Sequence, residues 1–135
     1  MSTFSLLCDL HNHTALSPCA ENDMTPNNIV NMAMLCELDA IAITDHNSAG
    51  NALAVIKAAE AIGAPLIVVP GMEAESSEEV HTVCLFPDMD KLTAFNEWIS
   101  AGMPKIKNKP GIFGEQYIMD ENDEIVGEHK PLLLT

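Results

Sequence analysis

Asp9-Leu10-His11-Asn12-His13-Thr14 closes the first apolar run of the chain, and its side chains are the kind that bind metal. Phe4 to Leu10 reads as a short buried strand, on which alternate side chains share a face, so Asp9, His11 and His13 project together. Two neutral imidazoles aimed at one point suit a divalent cation better than an apolar core. The spacing alone would equally give a hydrogen-bonded histidine pair at a strand end. Three more polar clusters follow: Thr44-Asp45-His46-Asn47, Gly71-Met72-Glu73, and His81. Each has a plainer reading, His46 as a helix cap, Glu73 as a solvated loop carboxylate and His81 as a half-buried strand histidine. Together, imidazoles and carboxylate could hold a cation that acidifies water for hydrolysis.

The clusters can meet only if the fold gathers strand ends. Thr25 and Pro26 read as the N-cap and first residue of a helix that ends near Glu37. Ala40 to Thr44 is an apolar run suited to a strand covered on both faces. Asn47 or Ser48 can cap the next helix, whose stripe is Ala52, Val55, Ile56, Ala59 and Ile62, with Gly63 and Pro65 ending it. Leu66 to Val69 and Val80 to Phe86 are the third and fourth strands, and Asp88 or Asp90 caps a third helix through Leu92, Phe95 and Ile99. Alternating strands and helices predict parallel βα units, which put the C-terminal strand ends, and so the first three clusters, on one face. His81 comes early in its strand; it joins them if that strand runs antiparallel or if the preceding loop presents it at the same rim. Residues 103–135 read as an irregular loop, then a small hairpin (Gln116 to Met119 and Ile125-Val126), then a terminal apolar run.

The 135 residues suit one domain, and 47% hydrophobic content can build a core. Six basic against twenty acidic residues give a net charge of −14, which disfavours unassisted nucleic-acid binding. No leader or membrane-spanning run is visible. Four scattered cysteines without CxxC spacing read as reduced thiols of a cytoplasmic protein. Cys8 faces away from the histidines, into the core. Cys19, on the loop, is near enough to be a soft ligand but is read as an ordinary loop residue. Glu75, Glu78 and Glu79 read as a solvated acidic turn, and His129 as a surface residue.

From Phe4 to Phe86 the sequence resembles the PHP (polymerase and histidinol phosphatase) family of metal-dependent phosphoesterases. The likeness rests on Asp9-Leu10-His11-x-His13-Thr14, Thr44-Asp45-His46-Asn47, Gly71-x-Glu73 and Glu79-Val80-His81, in order. The resemblance implies a distorted (β/α)7 barrel with a bi- or trinuclear centre of zinc, manganese or iron at its C-terminal rim. It implies His11 and His13 on one metal, Glu73 bridging to a second, His81 on that second, and His46 on a third with an acid from the loop after the first strand. Here Ser17 is followed by Pro18-Cys19, leaving Asp23 or Glu21 as that acid, with Asp23 preferred. Asp45 orients its neighbours rather than binding metal.

The family's later His and Asp-x-His have no counterpart in this chain. The expectation is therefore an α/β half-barrel, truncated after about four βα units, in residues 1–102, with residues 103–135 leading into a missing C-terminal half. The function expected of the intact protein is hydrolysis of a small phosphorylated substrate by a metal-activated water. The alternative is a non-catalytic metal-binding or structural half-domain, completed by dimerisation. A polymerase-type exonuclease domain is a third reading, opposed by the net charge.

Overall fold

The computed structural model describes residues 2–134; Met1 and Thr135, the ends of the two expected segments, lie outside them. The fold is mixed α/β, built on a curled four-stranded sheet in the order β1 (Cys8–Asn12), β2 (Ala40–Ile43), β3 (Ile67–Glu75), β4 (His81–Leu85). β1, β2 and β3 are mutually parallel, and β4 returns antiparallel to β3. Helices α1 (Pro26–Leu35), α2 (Ala52–Ile62) and α3 (Met89–Gly102) fill the connections, followed by a short turn of helix, α4 (Pro110–Phe113), and a separate hairpin of β5 (Tyr117–Met119) and β6 (Ile125–Glu128).

Local chemistry sets the boundaries. The Thr25 side chain accepts from the N–H of Asn28, and Pro26 occupies the first turn, where it sacrifices no helical hydrogen bond. α2 ends at Gly63, left-handed with φ 71°, a conformation that costs glycine nothing. α2 starts later than expected. Neither Asn47 nor Ser48 caps it, because Asn47 donates to the carbonyl of Leu133 and accepts from the N–H of Glu75. Asn51 takes the cap position without a capping bond; its amide instead ties Thr14 to Tyr117 and Met119 of the hairpin.

The core lies between the sheet and the helices, with Val30, Ile41, Ile43, Val55, Ala58, Met72 and Leu92 almost wholly buried. All of β2 is buried, as its unbroken apolar run predicts. β1 is different: it is an exposed edge strand that begins at Cys8, and Phe4, Leu6 and Leu7 remain in solvent. The expectation that Cys8 packs in the core is corrected, since an edge strand has only one neighbour to cover it. Ile62, expected on the buried stripe of α2, is also exposed, and Ala54 and Ala58 are buried instead.

β3 runs past Val69 through Pro70-Gly71 to Glu75. Gly71 is required by close approach: a Cβ there would lie 2.9 Å from the Cys84 carbonyl oxygen and 3.0 Å from that of Ile43. The extension matters to function because it carries Glu73 and Glu75 over the rim. The tight return from Ser76 to Val80, closed by Ser76 N–H on the Val80 carbonyl (3.0 Å), then sets His81 directly opposite Glu75. Of the two routes that could bring His81 to the rim, the chain uses the antiparallel strand.

Candidate metal centre

Asp45 organises the loop that follows β1. The carboxylate is 1% exposed and accepts from Thr14 N–H (2.7 Å), Thr14 Oγ1 (2.8 Å) and Ser17 Oγ (2.7 Å). Ser17 Oγ in turn accepts from the backbone N–H of His46 (3.0 Å), and the Asp45 carbonyl accepts from Glu73 N–H. Burial pushes the Asp45 carboxyl above its ordinary range, opposed by the Ser17 and Thr14 hydrogen bonds and by the nearby His13. Asp45 thus joins the ends of β1, β2 and β3, its carboxylate bonded to Thr14 and Ser17 rather than to an imidazole nitrogen.

His11, His13, His46 and His81 converge on Glu73. Its Oε2 lies 3.0 Å from His11 Nε2, 2.9 Å from His13 Nε2 and 3.7 Å from His46 Nε2, while Oε1 lies 3.1 Å from His81 Nδ1. The carboxylate thus faces two ways. His11 Nε2 and His13 Nε2 are 3.2 Å apart, and the rings of His13 and His46 are 4.6 Å apart between centroids. Glu73 and His46 are buried, His13 is partly covered, and His11 and His81 are open to solvent.

These positions form three groups whose donor atoms lie within 4.8 Å of one another: His11–His13–Glu73, His46–Glu75–His81 and His13–Cys19–His46. The donors fit a cation. Ligand atoms about 2.0–2.1 Å from a tetrahedral zinc stand roughly 3.3 Å apart, close to the separations found here. One nitrogen of the buried His46, Nδ1, has no hydrogen-bond partner among the described residues. A mixed imidazole–carboxylate set suits zinc, manganese or iron better than calcium or magnesium, which favour all-oxygen shells.

Electrostatics keep His46 and Glu73 in ligating form and work against it at Cys19. Burial, reinforced by the neighbouring His13 and His81, pushes His46 below its ordinary value against the pull of Glu73 and Glu75, favouring the neutral ring. Burial alone would raise Glu73, but the His11 hydrogen bond and the nearby imidazoles of His46, His11 and His13 outweigh it and hold the carboxyl below the usual range. The Cys19 thiol is pushed up by partial burial and by the carboxylates of Glu73, Asp45 and Glu75.

Asp23 and Glu21 are not brought into these groups; both are exposed, and the Asp23 carbonyl accepts from the Asn28 side chain. Asp9 also stays out. The β1–β2 register slips between Asp9 and Asn12, and the Asp9 carboxylate accepts from His11 N–H (3.3 Å). His129 lies elsewhere, half-buried with Nδ1 on the Pro131 carbonyl. Glu75 is the donor that the sequence reading missed: its side chain is 8% exposed, 3.5 Å from His81 Nε2. Its signal was present, since Glu73 and Glu75 are two apart on one strand and share a face.

No curated protein matches the chain. Among solved structures it is similar to one from Bifidobacterium adolescentis that carries the provisional name metal-dependent phosphoesterase. The two share 26% identity with a TM-score of 0.50 over 71% of this chain. The chain spans only 34% of that protein's length. The model of the PHP domain matches residues 9–130. With the histidine and carboxylate clusters gathered at one rim of the sheet, that match over most of the sequence establishes that the chain belongs to the PHP domain family.

Proposed function

We propose that this chain carries the metal-binding portion of a phosphoesterase, on part of a distorted (β/α)7 barrel, acting on a small phosphorylated substrate. The observation that carries the reading is the two-faced Glu73 carboxylate, with His11 and His13 on one oxygen and His81 on the other. His11, His13 and Glu73 would hold one divalent ion, and His46, Glu75 and His81 a second, toward which Glu73 also turns its Oε1, 3.1 Å from His81 Nδ1. When bound, such ions supply positive charge for the phosphoryl oxygens and acidify water at neutral pH. Asp45 holds the loop so that His13 and His46 keep their spacing, and the low-lying carboxyl of Glu73 stays ionised.

Beside the centre lies a cleft of about 570 Å³, lined by Asn47, Glu75, Ser77, Trp98, Ile99 and Met103. Its volume lies within the usual range for small-ligand sites. Glu75 belongs to both cleft and centre. A phosphate at the centre would therefore leave its organic group against the exposed Trp98, which stacks on Phe95. Hydrolysis of a chromogenic phosphate monoester should be absent after chelation, return with manganese or zinc, and be lost in His11→Ala. Activity indifferent to chelation removes the proposal.

The second reading is a metal-binding half-domain without turnover that pairs with another copy. It is favoured by the exposed edge strand β1 with Leu6, Leu7 and Leu10 in solvent. Sedimentation of a metal-loaded but inactive protein as a dimer would support it; an active monomer would exclude it.

A further inference from the structure

The third donor group differs in kind from the other two. It takes His13 from one carboxylate triad and His46 from the other, and replaces the carboxylate with sulfur. Cys19 Sγ lies 3.6 Å from His13 Nδ1, the ring nitrogen turned away from Glu73. The thiol is not carried on a loose loop. Ser17 is anchored to Asp45, Pro18 is buried, and the Ala20 N–H closes a turn on the Ser17 carbonyl (2.9 Å). Gly114 packs so closely over this turn that a Cβ there would collide with the Pro18 carbonyl oxygen. The buried His46 ring, which belongs to this group, also keeps its Nδ1 without a hydrogen-bond partner among the described residues.

We infer that Cys19 is a metal ligand, and that His13–Cys19–His46 forms a thiolate position for soft divalent ions within the centre proposed above. A neutral imidazole gives one lone pair to one cation. With those rings otherwise engaged by the carboxylate triads, the sulfur group is an alternative position rather than an addition. Ion chemistry then decides occupancy: thiolate favours zinc, cadmium and cobalt(II), whereas manganese prefers carboxylate oxygen. Binding replaces the S–H bond by a sulfur–metal bond and releases the proton to solvent.

The test is titration of the metal-free full chain with cobalt(II), read by near-ultraviolet absorption. A sulfur-to-cobalt charge-transfer band is expected, lost in Cys19→Ser and kept in Cys8→Ser, Cys36→Ser and Cys84→Ser. Wild-type alkylation guards against a misfolded variant: zinc should protect Cys19 from iodoacetamide, and manganese should protect it far less. Cobalt that binds in a His11-dependent way without a sulfur band, or a Cys19 alkylated equally fast with and without zinc, overturns the Cys19 assignment and leaves the centre standing. Absence of any cobalt uptake overturns both.

Discussion

Replacing Glu73 by glutamine keeps the shape of the side chain and removes one negative charge from the middle of four imidazoles. Its two oxygens lie 2.9–3.7 Å from the nitrogens of His11, His13, His46 and His81, so the substitution reaches both carboxylate triads at once. A unit charge pair about 4 Å apart in an effective dielectric of about 20 is worth roughly 4 kcal/mol, and twice that for a divalent ion. The glutamine carbonyl and lowered desolvation recover a part, leaving roughly 4 kcal/mol per ion, or about a thousandfold in affinity. Isothermal titration of the metal-free protein with zinc or manganese would measure this. Both binding steps should weaken, while circular dichroism should report an intact fold. If both affinities stay within about threefold of wild type, Glu73 is no ligand. If only one step weakens, it does not bridge.

Other outcomes follow from the same geometry. Asp45→Asn exchanges one acceptor oxygen for an N–H group facing the Thr14 and Ser17 donors; with charge-assisted bonds worth roughly 1.5–3 kcal/mol each, urea unfolding should show a loss of about 2–4 kcal/mol. Gly71→Ala forces a methyl against two backbone carbonyls that cannot swing away and should cost about 1–3 kcal/mol; an unchanged unfolding midpoint would contradict that packing. Without metal, the stability contributed by neutral His46 should be complete above its unfolded value of 6.5 and fall as pH drops toward its lower folded value. Glu73 adds a second loss below 4.5, again because its folded value is depressed, whereas the raised value of Asp45 acts in the opposite sense. A melting temperature that is flat from neutral pH to pH 5 would refute the His46 contribution.

Much of this was legible in the chain because period and punctuation are local. Pro26 and Gly63 marked a helix start and end, and the unbroken run of β2 announced burial on both faces. His11, His13, His46 and Glu73 could be grouped because parallel strands share a C-terminal rim. What failed was non-local. The exposure of β1 and Cys8 depends on which strand lies at the edge, which no stretch of β1 encodes. Asn47 reads as a cap but is spent on distant Leu133, and Asn51, which holds the cap position, is spent on the hairpin. The resemblance implies Asp23 or Glu21 as the loop acid, yet the turn at Ser17-Pro18 brings the Cys19 thiol close to His13 and leaves both loop acids in solvent.

Every role assigned to the rim histidines depends on cations at Glu73. Anomalous diffraction from crystals of the full chain grown with zinc tests this most directly. One scatterer should appear bonded to His11, His13 and the Oε2 side of Glu73, and a second within reach of His81 on the Oε1 side. Zinc-saturated crystals in which the ring nitrogens still hydrogen-bond to Glu73, with no anomalous peak among them, would contradict it.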